Sequence, residues 1–182
     1  MMFLWRHRPK LHVSTIHINR SEVARMDSLE NITFDEINIG DSCIYNKTLT
    51  ESDLILFATT SGDVNPVHLD KQFASESMFK ERIAHGMWSG SLVSATLATV
   101  MPGPGTIYLN QSLNFKRPVK LGDSLQVNLT ATEKNNDKKT VSFFCSVMNQ
   151  DEKEVLNGTA TVIAPTEKIK LDKPVLPEIL IQ

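Results

Sequence analysis

Asp63 and His68 stand five residues apart in the run Ser61-Gly62-Asp63-Val64-Asn65-Pro66-Val67-His68, with a proline turn to fold the segment back on itself. A carboxylate and an imidazole so placed can share one water: one group removes a proton from it and the other delivers a proton to carbon. That is the chemistry of adding water across a polarised double bond. Taken alone, the string reads more readily as an aspartate capping a turn beside a surface histidine. A second run, Ile83-Ala84-His85-Gly86-Met87, sets Gly86 at the start of a helical stretch. Backbone N–H groups are unpaired there and the helix dipole is positive, so an oxygen gaining negative charge would be stabilised. A glycine at that place also lets the helix pack closely, and the two roles are compatible. His85 invites a metal reading with Asp63 and His68, but no further ligand is spaced to complete a site, so no metal is expected.

These residues need elements to hold them. Thr50-Glu51-Ser52-Asp53 reads as a helix start, a Thr cap with an acid three residues on, and Leu54, Phe57 and Ala58 continue at helical spacing to Ser61-Gly62. Asp63 to Arg82 reads as mostly irregular, with Pro66 forcing Asn65 toward an extended conformation. A second helix is expected from His85 to Val100, ended by the breaker Met101-Pro102-Gly103-Pro104-Gly105. Its many small residues (Gly86, Ser89, Gly90, Ser91, Ser94, Ala95) and few charges predict a helix buried on most sides.

Ahead of these, a strand pair is expected over Phe34 to Leu49, split at Gly40-Asp41. Beyond them, period-two alternation predicts strands around Ile107–Phe115, Leu125–Ala131, Val141–Val147 and Val155–Ile163. The whole is an α+β domain over residues 31–165 in which a curved antiparallel sheet wraps one long helix. Residues 1–30 read as a loosely ordered extension, and 166–182, rich in proline and without period, as a linker-like tail.

The chain has 182 residues, 41% of them hydrophobic, enough for one domain with a core. A net charge of −2 and 7% aromatic residues, not interleaved with Lys or Arg, argue against nucleic-acid binding. The longest apolar stretch is too short and too interrupted to span a bilayer. Cys43 and Cys145 have no disulfide or metal spacing and read as buried free thiols in a reducing compartment. The expected location is the cytoplasm. The Arg-rich, acid-free start before Glu22 would suit a mitochondrial transit peptide, and hence the matrix, in a eukaryote. Met1 to Arg25 are expected to be dispensable for folding and activity.

The three runs Asp63-x-Asn65-Pro66-x-His68, Ala84-His85-Gly86-Met87 and Gly105-Thr106-Ile107-Tyr108-Leu109, in this order and spacing, resemble the signature of the MaoC-like or (R)-specific enoyl-CoA hydratase family. The resemblance runs from about Phe34 to Ala164. It implies the hot-dog fold, paired subunits, and reversible syn hydration of a trans-2-enoyl thioester to the (R)-3-hydroxyacyl thioester, without metal or organic cofactor. It also implies a catalytic pair in Asp63 and His68, a carbonyl-polarising N–H on Gly86, support of Asp63 by Ser94, and a loop-holding role for Asn65.

Trp88 and Met87 are candidates for contact with the acyl chain, Trp88 as a block to long chains if its ring points into the acyl tunnel and as a core residue if it packs against the sheet. Lys116 and Arg117 are candidates for the phosphates of coenzyme A, though an exposed basic pair is also ordinary solvated surface. Met87-Trp88-Ser89-Gly90 and Val162–Lys168 look most like the MaoC domain that precedes a phosphate acetyl- or butyryltransferase in some bacterial fusion proteins, and this chain is expected to be a free-standing or truncated version of that arrangement. The sequence does not distinguish coenzyme A from acyl carrier protein as the carrier of the thioester, so a 3-hydroxyacyl-carrier dehydratase remains an alternative. So do a hot-dog thioesterase and a catalytically silent module of the same fold.

Overall fold

The structure is a computed structural model that describes residues 28–181. Its frame is a five-stranded antiparallel sheet built from β2 (Ser42–Thr48), β3 (Ile107–Phe115), β4 (Ser124–Asn135), β5 (Thr140–Met148) and β6 (Glu154–Ile163), in the order β2-β4-β5-β6-β3. Against it packs α4 (Gly86–Thr99), giving the hot-dog architecture that the sequence resemblance implies. The period-two pattern is what makes this possible. Leu125, Val127, Leu129 and Ala131 on β4, and Val141, Phe143, Cys145 and Val147 on β5, all point inward and are fully buried. Trp88, Leu92, Val93 and Leu97 of α4 meet them. Each such large apolar side chain contributes ~1.5–3 kcal/mol on leaving water. Both cysteines are free and buried on this inner face, where desolvation pushes the Cys43 thiol up to about 12 and Cys145 up to about 11, so neither is a nucleophile.

Helix α1 (Glu51–Ser61) begins and ends as the sequence predicts. Thr50 Oγ1 accepts the Asp53 N–H, and the Asp53 carboxylate accepts the Thr50 N–H. At the other end Gly62, with φ 76°, takes the left-handed conformation that closes the helix and turns the chain directly into Asp63.

Four expectations need correction. Residues 34–41 do not form the first arm of a strand pair; only Ser42–Thr48 is a strand. The Glu36 carboxylate binds the N–H and hydroxyl of Thr33, and the Asp41 carboxylate binds the Asn38 N–H, so the segment is tied into turns while Phe34 and Ile37 plug the core.

The stretch 63–82 is not mostly irregular. It holds α2 (Pro66–Leu69), capped by Asn65, and α3 (Lys71–Glu76), capped by Asp70. The ends of the described chain are not featureless either: β1 (Ser28–Glu30) pairs antiparallel with β7 (Lys170–Asp172), between segments read as extension and linker. Residues 1–27, and with them the transit-peptide and truncation expectations, lie outside the described residues. Finally, α4 is buried on one side only. Met87, Ser91, Ser94, Ala98 and Thr99 form an open stripe, beside an edge strand β3 that exposes Ile107, Leu109 and Phe115.

Candidate active site

The site is made where the loop leaving α1 meets the start of α4. Asp63 is fixed by its neighbours: its N–H donates to Ser61 Oγ (3.2 Å), and its Oδ1 accepts the Asn65 N–H (3.2 Å). Asn65 Oδ1 then accepts the Val67 N–H, starting α2 with Pro66 in the first turn, where its missing N–H costs nothing. Asn65 therefore holds the loop, as its place in the motif implies. One turn of helix brings His68 round so that its Nε2 lies 4.0 Å from Asp63 Oδ2, a gap that a single bridging water spans.

The other face of His68 decides its protonation. Nδ1 lies 2.8 Å from the Ile83 carbonyl, so it carries the proton and donates, which leaves Nε2 as the acceptor facing Asp63. Burial is the main influence on this imidazole and holds it below the usual histidine value. The Ile83 carbonyl and the Asp63 carboxylate act in the opposite direction, while His85 adds to the lowering. A neutral ring with a free Nε2 is a base ready for a proton.

Gly86 is the first residue of α4, and His85, just before it, supplies no side-chain cap. Among the described residues the Gly86 N–H has no hydrogen-bond partner. His68 and Gly86 line the same cavity, of about 340 Å³, together with Ser89, Phe115, Lys116 and Arg117. Imidazole, free N–H and basic rim thus face one space, beside an exposed carboxylate.

Not every candidate is drawn in. Lys116 and Arg117 line the cavity, as a phosphate-facing pair would. Trp88 does not: it is only 4% exposed and belongs to the hydrophobic core, because two residues along a helix is a turn of about 200° away from Gly86. Met87 is 57% exposed and also lies off the cavity lining. Ser94 sits on the open stripe of α4 and makes no hydrogen bond to Asp63 among the described residues, so the support expected of it is not made within one chain. Trp88→Ala should therefore cost ~3–5 kcal/mol of stability and leave acyl-chain preference unchanged in whatever folds. Thermal melting and a chain-length series check this, and a shift toward longer chains would put Trp88 back in the substrate path.

The sequence reading missed two contributors. Ser89 lines the cavity and is three residues from Gly86, on the same helical face, a spacing that could have pointed to it. His85 was weighed only as a metal ligand. Ligand atoms of Asp63, His68 and His85 do fall within 4.8 Å of one another. Within that group His85 Nε2–H donates to the Asp63 carbonyl at 2.9 Å, and its Nδ1 is buried with no partner among the described residues.

The family model for the MaoC like domain matches residues 39–152. An (R)-specific enoyl-CoA hydratase of Rhodospirillum rubrum is 46% identical over 134 residues, covering 72% of this chain and 91% of that protein. A 3-hydroxybutyryl-CoA dehydratase of Methylorubrum extorquens is 36% identical, over 79% of this chain and 90% of the relative. Among solved structures, the unliganded R-hydratase PhaJ1 from Pseudomonas aeruginosa superposes with a TM-score of 0.83 at 50% identity, covering 85% of this chain and 99% of that one. With the Asp63–His68 pair, the open helix N-terminus and these similarities in place, the chain belongs to the MaoC-like domain family.

Proposed function

We propose that this protein is an (R)-specific enoyl-CoA hydratase, which reversibly adds water to a trans-2-enoyl-CoA to give the (R)-3-hydroxyacyl-CoA. The observation that carries the reading is the 4.0 Å approach of a neutral, buried His68 Nε2 to the Asp63 carboxylate, in front of a cavity that also presents the Gly86 N–H.

Water held between the two side chains gives a proton to His68 Nε2 as its oxygen bonds to the β-carbon. The electrons of the double bond move onto the thioester oxygen, where the Gly86 N–H and the α4 dipole stabilise the charge. The proton on His68 then passes to the α-carbon on the same face, which restores the carbonyl and gives syn addition. Asp63 orients the water and balances the transient imidazolium. Every group required is a side chain or backbone N–H of this chain, so the reading needs neither metal nor organic cofactor.

Lys116 and Arg117 at the cavity, with no carboxylate paired to either among the described residues, support coenzyme A as carrier. Acyl carrier protein is the alternative, and comparing rates on the two forms of one acyl chain separates them. A thioesterase reading has less support, since hydrolysis does not call for the His68 and Asp63 pair on one loop. Two free cysteines fit the reducing cytoplasm. No helix of the described residues is long and apolar enough to cross a membrane.

We further propose a homodimer or larger assembly. The edge strand β3 exposes Ile107, Leu109 and Phe115 beside Met87 and the small residues of the open stripe of α4, and a second copy would cover this face. Sedimentation at micromolar concentration should show at least a dimer; a monomer would contradict it.

The protonation argument also sets the pH dependence. A histidine held below 6.5 in the folded protein stays neutral throughout the neutral range and is protonated only as pH falls through its lowered value. The acid limb of kcat/KM is therefore expected to have its midpoint below 6.5. A limb lying above that value would show that the essential group is not this His68.

A further inference from the structure

His85 occupies the N-cap of α4 but does not cap it: its side chain makes no bond to the first-turn N–H groups, a task that Ser, Thr, Asn or Asp would perform. It is almost fully buried, and its Nδ1 has no partner among the described residues. A histidine placed there for stability alone would be a poor choice on both counts. What it does make are two contacts with the reacting pair. Its Nε2–H donates to the main-chain carbonyl of Asp63 at 2.9 Å, and its ring stacks on that of His68 with centroids 3.7 Å apart. Phe57 of α1 closes on the His85 ring at 5.1 Å, so the stack is held from behind.

We propose that His85 is a positioning residue for hydration, which pins Asp63 by its carbonyl and backs the His68 ring so that the two side chains keep the separation one water spans. Asp63 is then held at both ends, its Oδ1 by the Asn65 N–H and its carbonyl by His85, and only Oδ2 is left to face His68. The imidazole that takes the proton is likewise held by Ile83 on its edge and His85 on its face. The inference rests on the reading of Asp63 and His68 as the reacting pair.

The test compares His85→Gln with His85→Asn, using kcat, KM and thermal melting with crotonyl-CoA. A glutamine amide nitrogen reaches the place of Nε2, whereas that of asparagine falls short. Asparagine is nonetheless a good helix cap, so His85→Asn should melt no lower than wild type. The expected result is a ~10- to 100-fold loss of kcat in His85→Asn at nearly unchanged KM, as misplacement of reacting groups produces. His85→Gln should recover most of that loss.

His85→Phe, which keeps the stacked ring and loses the donor, should fall with His85→Asn and serves if the latter proves unstable. Wild-type kcat in either His85→Asn or His85→Phe overturns the proposal, as does an equal loss in His85→Gln and His85→Asn. Asp63→Asn and His68→Gln are run alongside. If those retain activity, the reading of the pair fails; if they lose it while the His85 variants do not, only the role of His85 fails.

Discussion

Asp63→Asn and His68→Gln are each expected to lower kcat on crotonyl-CoA by ~10²- to 10⁴-fold, the usual contribution of a positioned acid–base group, since His68 moves the proton and cannot do so without the charge that orients its water. The asparagine variant keeps the shape of Asp63 and its acceptor for the Asn65 N–H, but loses the charge that orients the water and balances an imidazolium. Asp63 is exposed, so its removal should hardly change stability. His68 is buried and donates to the Ile83 carbonyl, so His68→Gln leaves that carbonyl unpaired and should cost about 1–3 kcal/mol as well. Melting curves must therefore accompany the kinetics. Because both groups act on one water, the double variant should be little worse than the worse single one. Near wild-type hydration by either folded single variant would remove the pair from the mechanism. Fully additive losses would mean that the two side chains work in separate steps.

Gly86→Pro is expected to lower kcat by ~10²- to 10³-fold, the scale on which loss of one oxyanion donor is felt. Proline suits this position in backbone terms. It is the first residue of α4, where a missing N–H breaks no helix bond, and His85 before it already has the extended backbone (ψ 136°) that precedes a proline. The added side chain has one consequence to control for: a Cβ at position 86 would meet the Phe115 ring at 3.3 Å. Gly86→Ala adds the same Cβ and keeps the N–H. Alanine should therefore show only the cost of moving Phe115, and the further drop from alanine to proline isolates the donor. Equal activity in the two variants would show that the Gly86 N–H does not stabilise the thioester oxygen.

Where residues act through neighbours in sequence, the sequence revealed the structure. The Thr50–Asp53 capping box, the Gly62 stop and the breaker after Val100 are local, and all three ends lie within a residue of where they were expected. The Asp63–His68 spacing was legible for the same reason, since one proline turn fixes it. Distant pairings were not. β1 and β7 are three residues each and 140 positions apart, too short to show a period and joined only by tertiary folding. The His68–His85 stack depends on residues 67–68 meeting 83, through Ile83 N–H to Val67 O and His68 Nδ1–H to Ile83 O, which no local pattern records. Helix burial misled because small residues on α4 serve two different faces. Ser89 and Gly90 pack inward, while Ser91, Ser94 and Ala98 lie on the stripe that one chain leaves open. Of the two places open to Trp88, the core is the one it takes, because two residues along α4 turn it about 200° away from Gly86.

The central claim is addition of water rather than cleavage of the thioester, and one incubation tests it most directly. Purified protein with crotonyl-CoA, followed for enoyl absorbance and for free thiol together, should lose the absorbance, release no thiol and yield the (R)-3-hydroxy product. Thiol release in step with the absorbance change, or an unchanged enoyl signal from folded protein, would contradict the account.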